Sequence, residues 1–151
     1  MLFRSAISPG AQEICDSSNV DEDCDGLADD NDSSVLSSTK TTWYKDGDGD
    51  GYGLSTSTLS KCDQPSGYVS NSTDCNDSKS AINPGATEIC DGGDTVDTDE
   101  NCNGKADDGD STVSVASYNT FYFDSDADGY GDATIVDKQC NTPVEIGRAH
   151  V

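Results

Sequence analysis

Nearly the same unit is written twice in this chain, and that limits what it can fold into. Pro9-Gly10-Ala11-Gln12-Glu13-Ile14-Cys15-Asp16 returns as Pro84-Gly85-Ala86-Thr87-Glu88-Ile89-Cys90-Asp91, an offset of 75. After a three-residue insertion near 93–96 the offset becomes 78, matching Cys24-Asp25-Gly26 with Cys102-Asn103-Gly104 and Trp43-Tyr44 with Phe121-Tyr122. Asp46 to Gly53 then matches Asp124 to Gly131, and Cys62 matches Cys140. Such self-similarity marks a repeat architecture, in which each unit is one small structural module. We read 6–73 as a first repeat and 74–144 as a second, each shortened at its outer end. Leu2-Phe3-Arg4-Ser5 and Ile146-Gly147-Arg148-Ala149-His150-Val151 read like in-frame translations of one sequencing adapter in its two orientations. Residues 1–5 and 145–151 are therefore expected to be additions.

Units of this size bury little apolar surface, and the composition makes matters worse. Only 32% of the 151 residues are hydrophobic, and 30 acids face eight Lys and Arg, a formal net charge of −22. Apolar burial alone is not expected to offset conformational entropy in such a chain, so small cores of this kind need staples. The charge argues against nucleic acid and anionic membrane surfaces as partners. No apolar run approaches the roughly 20 residues of a spanning helix. Cationic partners remain.

Seven cysteines offer one kind of staple. Near-neighbour spacing suggests Cys15–Cys24, Cys62–Cys75 and Cys90–Cys102, leaving Cys140 without a partner, although six cysteines formally allow fifteen pairings. Zinc is disfavoured, because no Cys-x-x-Cys pair is present. Disulfides imply an oxidising compartment.

The aspartates offer the other. A hard cation such as calcium takes six to eight oxygens at about 2.3–2.6 Å, which short carboxylates at alternate positions with Gly at the turn can supply. Asp46, Asp48, Asp50 and the Tyr52 carbonyl fit that spacing, and Asp124, Asp126, Asp128 and the Tyr130 carbonyl repeat it. The acid that closes an EF-hand is missing, since Ser57 and Ile135 stand in its place. The Ser-, Thr-, Val- and Ile-rich stretches that follow favour returning strands, so each loop is expected at the tip of a β-hairpin. A second pattern comprises Asp21, Asp23, Asp25 and Asp29 in one unit and Asp99, Asn101, Asn103 and Asp107 in the other, where two Asn predict a weaker site. A fifth candidate is Asp74, Asn76 and Ser78, with Glu88 as a possible closing ligand. The Ser/Thr-rich stretches 33–42 and 111–120 read equally as linkers or edge strands.

Together, Asp74-Cys75-Asn76-Asp77, Ile82-Asn83-Pro84-Gly85-Ala86-Thr87-Glu88-Ile89-Cys90-Asp91-Gly92, Asn101-Cys102-Asn103-Gly104 and the acidic run around Phe121 to Gly131 resemble the MopE-type metal-binding repeat. The resemblance implies a tandem module of large secreted or surface-attached prokaryotic proteins, with loops similar to thrombospondin type 3 calcium repeats. Well-known members of that family bind copper through His and an oxidised Trp. Here the only His is His150, in the adapter-like end, and oxygen ligands suit calcium better than copper. Trp43 reads as an aromatic packed beside its hairpin.

The expected fold is small, loop-rich and mainly β, with little helix: tandem units of short hairpins carrying acidic metal-binding loops, stapled by disulfides and calcium. The expected function is an extracellular calcium-binding repeat holding four or five ions, acting as a rigid spacer or stalk beside neighbouring repeats of a longer chain. The alternatives are an adhesive module contacting a surface protein or glycan, and a copper-binding surface protein. No catalytic role is expected, because no Gly-x-Ser-x-Gly or phosphate-binding loop occurs and the carboxylates are spaced for a cation.

Overall fold

Thr, Trp and Tyr favour extended backbone, whereas Gly-Asp alternation breaks it; the sequence runs from one to the other at Lys45 and again at Phe123. In the computed structural model, which describes residues 7–91, 97–143 and the backbone of 148–150, strands stop at those points. Strand β1 (Thr41–Lys45) pairs antiparallel with β2 (Leu54–Lys61), and β3 (Tyr68–Val69) adds on the other side of β1. In the second half β4 (Asn119–Phe123) pairs antiparallel with β5 (Asp132–Gln139), and β6 (Arg148–His150) flanks β4. Each hairpin shifts register at the same place, between Tyr44 and Lys45 and between Tyr122 and Phe123.

Helix among the described residues is limited to three 3-10 turns, Asp29–Asn31, Ser37–Thr39 and Asp107–Gly109. No helix among them is long and apolar enough to cross a membrane. The stretches 33–42 and 111–120 are neither free linkers nor edge strands along their length. They turn so as to bury Val35 and Val113 before entering β1 and β4. The 93–96 insertion lies outside the described residues, as do residues 1–5.

The chain divides into two units, Met1–Ser80 and Ala81–Val151. Residues 74–80, which open the second repeat in sequence, lie in the first of these units. Asp74 bridges to Leu54, and its N–H donates to the Gly53 carbonyl at 3.2 Å.

The cysteine pairing departs from the sequence expectation. Six of the seven cysteines are disulfide-bonded. Cys15 bonds Cys62 and Cys90 bonds Cys140, across sequence separations of 47 and 50, so Cys15–Cys24, Cys62–Cys75 and Cys90–Cys102 are all overturned. Cys140 is paired, and Cys24 carries the free thiol. The physical reason is topological. Cys15 and Cys62 lie in the segments before β1 and after β2, which the hairpin returns to the same end of the sheet.

Buried apolar side chains among the described residues are Val35, Ile82, Val113, Phe121 and Cys140, whereas the buried acids include Glu13, Glu22, Asp29, Asp32, Asp74, Glu88, Glu100, Asp107, Asp110 and Asp124. An interior this rich in carboxylates is favourable only if each one is hydrogen-bonded or charge-paired. The hydrogen bonds show which are.

Candidate metal centres

Two glutamates organise the loops around them. The Glu13 carboxylate accepts the Glu22 N–H at 2.9 Å and the Asp29 N–H at 3.2 Å. Glu88 repeats this with Glu100 at 3.0 Å and Asp107 at 3.2 Å, and adds Asn101 at 3.4 Å. Glu22 and Glu100 in turn accept the Ile14 and Ile89 N–H groups. Burial is the leading cause pushing the Glu88 and Glu22 carboxyls above their usual range, and the amide donors oppose it. Glu88, expected as the closing ligand for the Asp74 loop, instead clamps the backbone of 100–107.

The loop between β1 and β2 winds around Asp46, whose two oxygens accept the Gly49 and Gly51 N–H groups at 2.7 and 3.1 Å. Gly49 and Gly51 have φ of 82° and 91°, the left-handed region glycine enters without a Cβ clash. Asp50 accepts the Tyr52 N–H at 2.8 Å. Against this loop lies the 71–77 segment: Asn71 accepts the Gly53 N–H and donates to the Gly51 carbonyl, and Asp77 accepts the Gly47 N–H. Asp74 is 5% exposed. Both oxygens of Asp48, and Oδ2 of Asp50 and of Asp74, are buried with no hydrogen-bond donor. Burial pushes the Asp48 carboxyl up, the charges of Asp50, Asp74 and Asp46 add to it, and the nearby Asp50 N–H opposes it only in part.

Asp74 thus lies against the Asp46–Asp50 loop. Asn76 and Ser78 close a local turn, Ser78 Oγ donating to Asn76 Oδ1 at 2.6 Å. Asn71 and Asp77 were missed in the sequence; the Asp-x-x-Asp spacing of 74 and 77 was visible, but its approach to Gly47 depends on the Leu54–Asp74 bridge.

The β4–β5 loop is wound alike. Asp124 accepts the Asp128 and Gly129 N–H groups at 3.3 and 2.9 Å, and Asp128 accepts that of Tyr130 at 2.8 Å. Burial works to raise the Asp124 carboxyl, but the amides of Gly129, Ala127 and Asp128 outweigh it, leaving it below the usual range. Asp126 and Asp128 are exposed, and Tyr130 is 83% exposed.

In the second pattern Asp21 accepts the Asp25 and Gly26 N–H groups at 3.2 and 2.9 Å, as Asp99 accepts those of Asn103 and Gly104 at 3.0 and 2.7 Å. Asp23, Asp25 and Asp32 each bring a carboxylate oxygen within 4.8 Å of the others, as do Glu13, Asp21 and Asp23. Asp32 was not foreseen; its Oδ2 is buried and has no donor. In the other unit Asp110 takes that position and is satisfied, by Asn101 Nδ2 at 3.0 Å and Asn103 Nδ2 at 2.7 Å. The Thr112 N–H, followed by the Asn101, Thr112 and Asn103 side chains, holds the Asp110 carboxyl well below the usual range. The expected ninth-position ligands, Asp29 and Asp107, turn away. Each opens a 3-10 turn with φ near +50°, 50° and 48°, and accepts the N–H of Asp16 or Asp91.

The donor atoms gathered in these loops are oxygens of Asp, Asn and Glu, the set that suits hard divalent cations. The Cu-binding MopE metal-binding motif matches this chain in two regions, residues 3–30 and 74–108. These contain Glu13 and Asp21 to Asp29 in the first, and Asp74, Glu88 and Asp99 to Asp107 in the second. No curated protein and no solved structure matches the chain.

Proposed function

We propose that this chain, two stretches of which carry the MopE metal-binding motif, is a calcium-binding module of an extracellular protein and serves as a spacer or stalk made rigid by its ions. The observation that carries the reading is the set of four buried oxygens without donors on Asp48, Asp50 and Asp74. Carboxylates brought this close repel one another and are costly to bury unpaired. A divalent cation removes both penalties at once, and a flexible loop of carboxylates and carbonyls meets the coordination number calcium prefers. Disulfides accord with an oxidising compartment. Because the buried polar residues among those described are all Asp and Glu, ion binding contributes directly to folding.

Copper is the second reading, favoured by the name of the matched motif. It asks for imidazole or thiolate donors. The loops supply oxygen, and the Trp43 indole N–H is engaged with the Lys61 carbonyl at 3.2 Å. The deciding experiment is a calorimetric titration of the oxidised chain with calcium, magnesium and copper, followed by far-UV circular dichroism. Saturable calcium binding in the 10⁻⁴ to 10⁻³ M range of extracellular modules, with a gain of structure, is the expected result. A response to copper alone overturns it.

A further inference from the structure

Behind each long disulfide lies a second set of oxygens that the loops do not use. Asp29 is 2% exposed and Asp107 is 1% exposed, yet Oδ2 of each has no hydrogen-bond donor. In the second unit two further buried oxygens share that condition, Asp91 Oδ1 and Asn141 Oδ1. Their counterparts in the first unit, by the repeat offsets of 75 and 78, are Asp16, whose Oδ1 accepts the Ser18 and Val20 N–H groups at 2.7 and 3.3 Å, and Asp63, which is exposed. The Asp16 and Asp63 charges both act on the Asp29 carboxyl, and Asp91 and Asp97 act on that of Asp107.

The disulfides explain how residues so far apart in sequence meet. Asp16 and Asp63 each directly follow a cysteine of the Cys15–Cys62 pair, and Asp91 and Asn141 those of Cys90–Cys140. The covalent bond holds the two Cα atoms 5.1 and 5.0 Å apart, so the residue that follows each cysteine is brought close to its counterpart. Asp29 and Asp107 close the third side, each with a carboxylate oxygen within 4.8 Å of both sulfurs. Asp30 and Asp108 fasten the same corner from the adjacent position, accepting the N–H groups of Cys62 and Asp63, and of Cys140 and Asn141. In the first unit Asp16 and Asp63 line a cleft of about 360 Å³ together with Trp43 and Gln64.

We propose that each of these corners is a further cation site, formed by Asp16, Asp29 and Asp63 in the first unit and by Asp91, Asp107 and Asn141 in the second, and assembled by its disulfide. The ligands are oxygen only, so the ion is a hard divalent cation of the calcium class; the inference rests on the calcium reading above. These sites are distinct from the Asp46–Asp50 and Asp21–Asp25 loops. They also account for Asp29 and Asp107 turning away from the loops that contain them.

The test is calorimetric titration of the oxidised full chain with calcium, comparing the parent with the paired variant Asp29→Asn, Asp107→Asn. Asn keeps the size and tolerates the left-handed backbone. The expected result is two fewer ions bound, with the remaining ones unchanged. Should that variant fail to fold, Asp16→Asn with Asp91→Asn makes the same prediction from less buried positions. A second readout is reduction of Cys15–Cys62 and Cys90–Cys140 by a phosphine, followed by mass spectrometry: calcium slows it at least tenfold in the parent and not in the variants. A parent that binds calcium and variants that bind the same number, with equal slowing, overturn this inference alone. A parent that binds no calcium overturns the calcium reading itself.

Discussion

Replacing Glu88 by Ala should strongly destabilise the second unit without touching any loop carboxylate. Three backbone N–H groups, of Glu100, Asn101 and Asp107, converge on its two oxygens at 3.0, 3.4 and 3.2 Å, and the side chain is 1% exposed. Ala removes the acceptor and leaves those amides with nothing in reach. An orphaned buried donor costs about 1–3 kcal/mol, and the weaker third bond counts for less, so the loss is on the order of 3–6 kcal/mol. A small domain has only about 5–15 kcal/mol to lose. Gln keeps one carbonyl oxygen but turns an NH₂ toward N–H groups, so Glu88→Gln should cost on the order of 1–3 kcal/mol by the same reasoning. The assay is urea denaturation in saturating calcium, with amide hydrogen exchange read at residues 100, 101 and 107. The predicted order is parent, Gln, Ala. If Ala shifts the transition by less than about 0.5 kcal/mol, the range of an ordinary surface change, and those amides stay protected, the clamp does not hold the loop and the reasoning fails.

Other consequences follow from the same structure. Gly53→Ala places a Cβ 2.6 Å from the Tyr44 Cβ and 2.8 Å from the Asn71 carbonyl oxygen; it should cost about 1–3 kcal/mol as overpacking does and weaken calcium binding by the Asp46–Asp50 loop, seen by calorimetry. Asp48→Asn should reduce calcium affinity at least tenfold, while Cys24→Ser, at an exposed free thiol, should change neither affinity nor stability. In EDTA, acidification should stabilise the chain. Burial first, then Asp91 and Asp97, raise the Asp107 carboxyl from 3.8 to about 6. Its contribution is therefore present below pH 4 and lost as pH rises through about 6. Asp30 is the opposite case: burial raises it, but the Cys62 and Asp63 amides with Lys61 and Lys40 leave it lowered, so its contribution is lost only on further acidification. Denaturation midpoints in EDTA should rise from pH 7 to 5, and with calcium present they should fall over the same interval.

The hairpins were legible because their signal is local: strand formers give way to Gly-Asp alternation at Lys45 and Phe123, and the chain turns there. The cysteine pairing was not, because it depends on where the hairpin returns the chain. Spacing along the sequence favours Cys15–Cys24, but Cys24 sits at φ 62° within the tight Asp21–Asp25 loop, and Cys62 arrives beside Cys15 only once β2 has paired with β1. The same long-range return hid the ligands after each cysteine, Asp16, Asp63, Asp91 and Asn141. Loop acids were recognisable by their alternation. Their third-dimensional partners Asp32 and Asp77 carry no local sign that they belong to the loops, Asp74 reads in the sequence as part of a separate candidate, and Glu13 looks like any surface acid, and Glu88 like a metal ligand, until their amide partners are seen.

Comparing the two units at one position separates the fold of a loop from its need for an ion. Asp32 and Asp110 occupy equivalent places, and each accepts an N–H two residues on, from Ser34 at 2.6 Å and Thr112 at 2.7 Å. Asp32 brings a carboxylate oxygen within 4.8 Å of those of Asp23 and Asp25, and its Oδ2 has no donor, whereas Oδ2 of Asp110 receives the amides of Asn101 and Asn103. The backbone is wound alike in both, so the Asn amides do for Asp110 what a cation would do for Asp32 under the proposed calcium reading. Charge-assisted hydrogen bonds of this kind are roughly twice as strong as neutral ones, and they persist without metal. The double variant Asn101→Asp, Asn103→Asp should therefore exchange an ion-independent loop for an ion-dependent one. In EDTA it loses two donors and gains two charges around Asp110, and hydrogen-exchange protection of residues 103–105 should fall at least tenfold. In calcium, protection should return and one more ion should bind than in the parent. If the variant is equally protected with and without calcium, the amides are incidental, and the difference between Asp32 and Asp110 is not one of cation dependence.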